Sequence, residues 1–160
     1  METNDGRKPA SGLSLKARAV GYLSRREHSR VELERKLARF GEESEVRAVL
    51  DSLEKEGWLS TERYAQSVVH RLAAKQGTLR IVRELRQHGV SDAQISELRN
   101  ELQSTELARA REVWRKRFGQ LPTDAGQRAK QVRFLMSRGF GLATIRQVLR
   151  GVDLDDLVED

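Results

Sequence analysis

Three segments of the chain close an apolar helical pattern in the same way: Leu37-x-x-x-Gly41, Leu85-x-x-x-Gly89 and Leu135-x-x-x-Gly139, with glycines 48 and 50 residues apart. A leucine one turn ahead of a glycine suits a helix whose last apolar residue packs inward and whose next position takes the left-handed conformation that glycine adopts without strain. Each of these segments has a further helical stretch on either side. Self-similarity at a period of roughly 50 residues is the mark of stacked helical units. The expected fold is therefore all-α, with three tandem three-helix repeats in an elongated, curved array. The expected boundaries are a flexible segment at 1–14, repeats at 15–59, 60–103 and 104–152, and an acidic tail at 153–160.

Local signals place the helices within each repeat. Ala19, Tyr22 and Leu23 share one face of an opening helix. Ser29 and Glu32 have the spacing of a capping box, so a second helix should start there, with Leu33, Leu37 and Phe40 inward and Glu32 and Lys36 paired outside. Val46, Val49, Leu50 and Leu53 then mark a third helix ending at Gly57, covered by Trp58 and Leu59. In the second repeat, Ser60 or Thr61 and then Thr78 are candidate caps, and Ser91 with Gln94 repeats the capping-box form. In the third, Leu107, Ala110, Trp114 and Phe118 lie on one stripe, with Arg111 and Arg117 flanking it and Arg109, Arg115 and Lys116 pointing outward. Asp124 caps the next helix.

Charge is distributed unevenly. The net of +6 conceals a third repeat with eleven Lys and Arg against Glu106, Glu112 and Asp124, followed by a tail holding Asp153, Asp155, Asp156, Glu159 and Asp160 with no basic residue. Such a pairing suggests a polyanionic or acidic partner for which the tail competes, although a solvated face and a frayed terminus would carry the same charges. The absence of cysteine excludes disulfides and thiolate metal sites. No apolar run is long enough for a membrane span, and the polar N-terminus lacks a signal-peptide core, so the cytoplasm is the default. His28, His70 and His88 lack metal-ligand spacing and read as surface or capping residues, and no phosphate loop is present. Asp51, Glu54 and Lys55 resemble a nuclease cluster only on paper, since such spacing is ordinary on a solvated helix. Aromatic residues interleaved with arginines invite base stacking, but Trp114, Phe118 and Phe134 fall on apolar stripes and read as core. No enzyme, cofactor or metal is expected.

Residues 23–37 (LSRREHSRVELERKL) strongly resemble the bacterial RecX regulatory proteins, as do residues 57–65 (GWLSTERYA) and 79–91 (LRIVRELRQHGVS). The third repeat, through residues 134–140 (FLMSRGF) and Ile145, is similar to the closing helices of that family, whereas residues 76–79 (QGTL) lack its Gly-Pro turn. The resemblance implies an inhibitor of RecA recombinase that lies along the filament groove across neighbouring subunits and reduces ATP hydrolysis, strand exchange and co-protease function. Candidate filament- or DNA-contacting residues are Arg25, Arg26, Arg109, Arg115, Lys116, Arg133, Arg138, Arg146 and Arg150. A protein acting by direct contact with single- or double-stranded DNA is the alternative, since guanidinium groups serve phosphates and carboxylates equally. Hydrophilic outer faces favour a monomer.

Overall fold

The computed structural model describes residues 12–150; the acidic tail 153–160 and most of segment 1–14 lie outside the described residues. Among the described residues there are eight helices and no strand: α1 (Leu15–Leu23), α2 (Arg30–Leu37), α3 (Glu43–Lys55), α4 (Thr61–Leu72), α5 (Thr78–Gln87), α6 (Asp92–Arg117), α7 (Ala125–Ser137) and α8 (Leu142–Leu149). The chain divides into two compact units, one running to Tyr64 and the other beginning at Ala65.

In the first unit α1, α2 and α3 pack on one another. Ala19, Leu33, Leu37, Val46, Leu50, Leu53 and Leu59 are buried together, with Leu15, Val20, Tyr22, Leu23 and Val49 around them. Ser14 Oγ accepts from Ala17 N at 3.1 Å, and Ser29 Oγ from Glu32 N at 3.0 Å, so each hydroxyl satisfies one of the orphan amides of a helix start. Leu59 closes the end of α3, as its apolar character requires, while Trp58 stays 46% exposed. Arg63 fixes this turn: its Nη2 donates to Gly57 O at 2.6 Å and Trp58 O at 3.1 Å, and its Nε to Glu27 at 2.9 Å. Asp51 and Glu54 hold Arg30 at 2.8 and 3.1 Å.

His28, expected as a surface or capping residue, is buried. Its Nδ1 lies 3.0 Å from Arg26 O and its Nε2 2.9 Å from Lys36 Nζ. Because an ammonium can only donate, Nε2 accepts, and the ring is the neutral Nδ1–H tautomer. Burial pushes its pKa below the ordinary value, and the positive charges of Arg26 and Lys36 act the same way against the opposing Arg26 carbonyl and Glu32.

The glycine of the first repeat differs from the other two. Gly89 and Gly139 take φ of 79° and 90°, as the helix-end pattern predicts, but among the described residues Gly41 is not left-handed. Its role is spatial, since a Cβ there would sit 2.7 Å from Leu15 Cδ1, the movable tip of a side chain.

In the second unit α6 is the central helix, packed by α5, α7 and α8. The nine helices expected from three repeats become eight because α6 runs for 26 residues through the expected boundary at 103/104. No glycine or proline interrupts it, and Ser104 and Thr105 turn their hydroxyls back onto Glu101 O and Leu102 O at 2.6 and 3.3 Å, which a continuous helix tolerates. The capping box at its start is complete, with Ser91 and Gln94 satisfying each other's backbone amides. Ala110, Leu135, Phe140, Ile145, Val148 and Leu149 form a core under α6, with Leu107, Val113, Trp114, Val132 and Phe134 against it. Buried Gln131 uses both ends of its amide, accepting from Trp114 Nε1 at 2.8 Å and donating to Gln120 O at 3.0 Å.

The start of α5 crosses the α7–α8 turn at backbone contact. Gly77 N donates to Arg138 O at 2.7 Å and Leu79 N to Gly139 O at 3.2 Å. A Cβ on Gly77 would overlap the Gly139 carbonyl and Phe140 N, and one on Gly139 would lie 2.7 Å from Arg80 N.

Two outcomes follow from these contacts. Gly77→Ala or Gly139→Ala should lower unfolding free energy by about 2–4 kcal/mol, because backbone must move, while Gly41→Ala costs less than about 1 kcal/mol; urea titrations of the three variants check the ranking. As pH falls below the ordinary histidine value of about 6.5, the unfolded chain takes up a proton at residue 28 that the folded one resists. Stability should therefore be full above that pH and decline below it until the depressed folded pKa is reached, and His28→Gln should flatten the slope in this window.

Candidate interaction surface

The cations of the second and third repeats divide into those consumed by the fold, those gathered around one recess and those left scattered. Arg109 belongs to the first and corrects the expectation that it points outward. Its Nη1 donates to Ala73 O at 3.0 Å and Gln76 O at 2.6 Å, its Nη2 to Leu102 O at 3.0 Å and Thr78 Oγ1 at 3.3 Å, and its Nε to Thr105 Oγ1 at 3.1 Å. Every N–H donor of the guanidinium is used, so no fork remains for a partner. Burial lowers its pKa against the pull of nearby Glu106.

Glu106, one turn earlier, is 3% exposed and joins two helix starts. Its Oε1 accepts from Thr78 N at 3.0 Å and its Oε2 from Thr144 Oγ1 at 2.6 Å. Thr78 is thus not a cap: Gly77 is the N-cap of α5 and has no side chain to offer, so a carboxylate from α6 supplies the acceptor. A negative charge at two helix N-termini is favourable in its own right.

Lys75, Lys116, Arg117 and Arg138 form the second group around a recess of about 350 Å³ floored by Ala74, Val113 and Phe134. They come from the segment after α4, the end of α6 and the end of α7. The Arg117 and Arg138 guanidinium carbons stand 5.7 and 5.1 Å from the Phe134 ring centre, within cation–π range. Phe134 also meets Phe118 edge-on at 5.3 Å between centres, which orients the ring. Among the described residues no carboxylate lies in salt-bridge range of Lys75, Arg117 or Arg138. Lys116 lies 3.6 Å from Glu112.

The remaining candidates are scattered. Arg115 is held by Glu112 at 2.8 and 3.1 Å, which raises the arginine's pKa and lowers that of the carboxyl. Arg133, Arg146 and Arg150 are exposed but do not line the recess. Arg25 and Arg26 belong to the first unit, where Arg26 pairs with Glu32; burial raises the Glu32 pKa, but Arg26, His28 and Lys36 outweigh it and the net is a lowering. Of the expected residues, then, the structure brings together Lys116 and Arg138. Lys75 and Arg117 join them without having been expected. Arg117 was visible as a flank of the aromatic stripe, whereas Lys75 stands 42 residues before it with no local signal. Among the described residues no group of three His, Cys, Asp or Glu is arranged to hold a metal ion, and no helix is long and apolar enough to cross a membrane.

Models of three consecutive RecX domains match the chain: the first three-helix domain at residues 16–53, the second at 62–98 and the third at 104–149. Proteins named Regulatory protein RecX match it over nearly their whole length. That of Ralstonia nicotianae is 54% identical over 151 residues, covering 92% of this chain and 95% of its own, and that of Pseudomonas fluorescens strain SBW25 is 43% identical, covering 90% and 95%. The chain belongs to the RecX family. The crystal structure of RecX from Lactobacillus salivarius has the same fold, with a TM-score of 0.72 at 20% identity over 88% of this chain and 95% of that one. The gap between the second and third RecX domain matches lies within α6, so both domains draw on one helix.

Arg109→Ala should act on folding: it takes the guanidinium donor from Ala73 O and Gln76 O and is expected to cost about 2–3 kcal/mol of stability. Arg133→Ala, on the exposed side of α7, should change it by less than about 0.5 kcal/mol. Chemical denaturation of both variants checks the contrast.

Proposed function

We propose that this RecX-family chain is a non-enzymatic negative regulator of RecA recombinase. It acts in the cytoplasm as a monomer, binds the groove of the RecA–DNA filament across neighbouring subunits, and lowers ATP hydrolysis, strand exchange and co-protease activity. The observation that carries the reading on this chain is the recess of Lys75, Lys116, Arg117 and Arg138, where four cations, of which only Lys116 has an acidic neighbour among the described residues, surround an apolar floor. Electrostatic attraction steers an acidic surface toward such a site, and burying Val113 and Phe134 beneath a partner then slows its departure. Relatives named as regulatory proteins over almost their full length support a regulatory role rather than a catalytic one.

The same cations suit DNA phosphates, and direct strand binding is the competing reading. Counterion release would make that mode fall steeply with salt in the absence of any protein partner.

Reversing charge at Arg117 and Arg138 together should raise the concentration needed to inhibit RecA's DNA-dependent ATP hydrolysis by about tenfold or more, the equivalent of at least 1.4 kcal/mol, with helicity unchanged. The exposed Arg115→Glu change should do less, because Glu112 already neutralises that arginine. Inhibition that survives the double reversal would remove the recess from the interface.

A further inference from the structure

Beside the basic recess, the second unit has a groove of about 610 Å³ between α5 and the end of α7, lined by Leu79, Arg80, Arg83, Glu84, Met136 and Gly139 among others. Leu79 and Met136 are 58% and 51% exposed, and Leu142, three residues past Gly139, is 52% exposed. Three of the seven large apolar side chains exposed among the described residues thus gather at the junction where Leu79 N donates to Gly139 O, and an apolar patch at a concavity marks a binding surface. The charge on the α5 wall is mainly positive. Arg80 and Arg83 share a face of α5 about 4.5 Å apart along its axis. Arg80 Nη1 donates to Ser137 O at 2.7 Å, and among the described residues no carboxylate lies in salt-bridge range of either arginine. Glu84, on the same wall, lies 3.5 Å from His88 Nε2.

We propose that this groove binds an acidic peptide segment with apolar anchors, belonging to the same protein partner that the basic recess engages. The combination of Leu79 and Met136 with Arg80 and Arg83 selects that chemistry. Nucleic acid would match the arginines but leave the two aliphatic side chains unused, since neither offers an aromatic face on which a base can stack. A wholly apolar segment would cover the arginines without supplying a counter-charge, which is costly. A segment that sets carboxylates against Arg80 and Arg83 and apolar side chains against Leu79 and Met136 satisfies both walls. Glu84 adds selectivity, because a carboxylate misplaced beside it is repelled. The groove is also well placed for such a partner: Met136 and Ser137 line it while Arg138 lines the recess, so the end of α7 is the ridge between the two sites. A partner seated on the recess has only that ridge to cross. The proposal rests on the regulatory reading for the partner's identity, and on the groove's own side chains for the kind of segment it takes.

The absence of cysteine supplies the test. Gln87→Cys at the groove and, in a separate chain, Ala74→Cys at the recess each provide a single thiol for a maleimide-linked diazirine. On RecA filaments assembled on single-stranded DNA, light should join both positions to RecA. Mass spectrometry of the digested adducts should find the groove position on a segment bearing carboxylates and large apolar side chains. Adding Leu79→Ser and Arg83→Glu to the Gln87→Cys chain should cut that adduct about tenfold with helicity unchanged. Five results overturn the proposal while an adduct at the recess keeps the regulatory reading: no adduct at the groove, one to DNA, one to a second copy, one to a segment without carboxylates, or a yield indifferent to the two substitutions. No adduct to RecA from either position removes the regulatory reading and this proposal together.

Discussion

The second unit depends on one close approach: the start of α5 lying against the α7–α8 turn at backbone distance. Two glycines permit it, Gly77 by having no Cβ and Gly139 by also taking φ of 90°. That approach places two helix starts, those of α5 and α8, beside the middle of α6, where water cannot satisfy their amides and hydroxyls. Glu106 does so from α6, and Arg109 gathers the carbonyls at the end of α4 on the same helix. A buried carboxylate without such partners would be costly, and the helix starts without the carboxylate would be equally so. Packing, polar satisfaction and the glycine geometry are thus one arrangement.

This arrangement decides which cations are available. An arginine drawn inward to hold carbonyls contributes rigidity, whereas Arg117 and Arg138, at the ends of α6 and α7, lie within cation–π range of Phe134 and have no carboxylate in salt-bridge range among the described residues. Lys75 follows directly on the segment that Arg109 clamps, between Ala73 and Gln76, so the buried clasp also positions one wall of the basic recess. A rigid platform under flexible charged tips suits recognition of an extended partner, because less order has to be created on binding.

Much of the fold was legible because its signals are local. Ser29, Ser91 and Asp124 announce helix starts within three residues of the amides they cap, and the apolar spacing marks the buried faces. What was not legible spans distance. Glu106 acts on Thr78 and Thr144, 28 and 38 residues away, and in the sequence it is only one of the three acids in the basic repeat. Arg109 read as outward on a helix assumed to bury a single stripe, but α6 is packed by three helices and has little outer face left. The three Leu-x-x-x-Gly segments look alike, yet Gly41 serves space and Gly139 serves both conformation and space, a distinction that only the neighbours Leu15 and Arg80 reveal. The basic recess was half visible: Lys116 and Arg138 belonged to the arginine-rich repeat, whereas Lys75 enters from the preceding one.

The central claim is that the target is the filament rather than free DNA. RecA's single-stranded-DNA-dependent ATP hydrolysis, titrated with this protein beside its binding to the same DNA without RecA, tests it most directly. The account predicts inhibition at concentrations that leave naked DNA unoccupied. Inhibition that develops only as the free strand saturates would contradict it and assign the activity to competition for DNA.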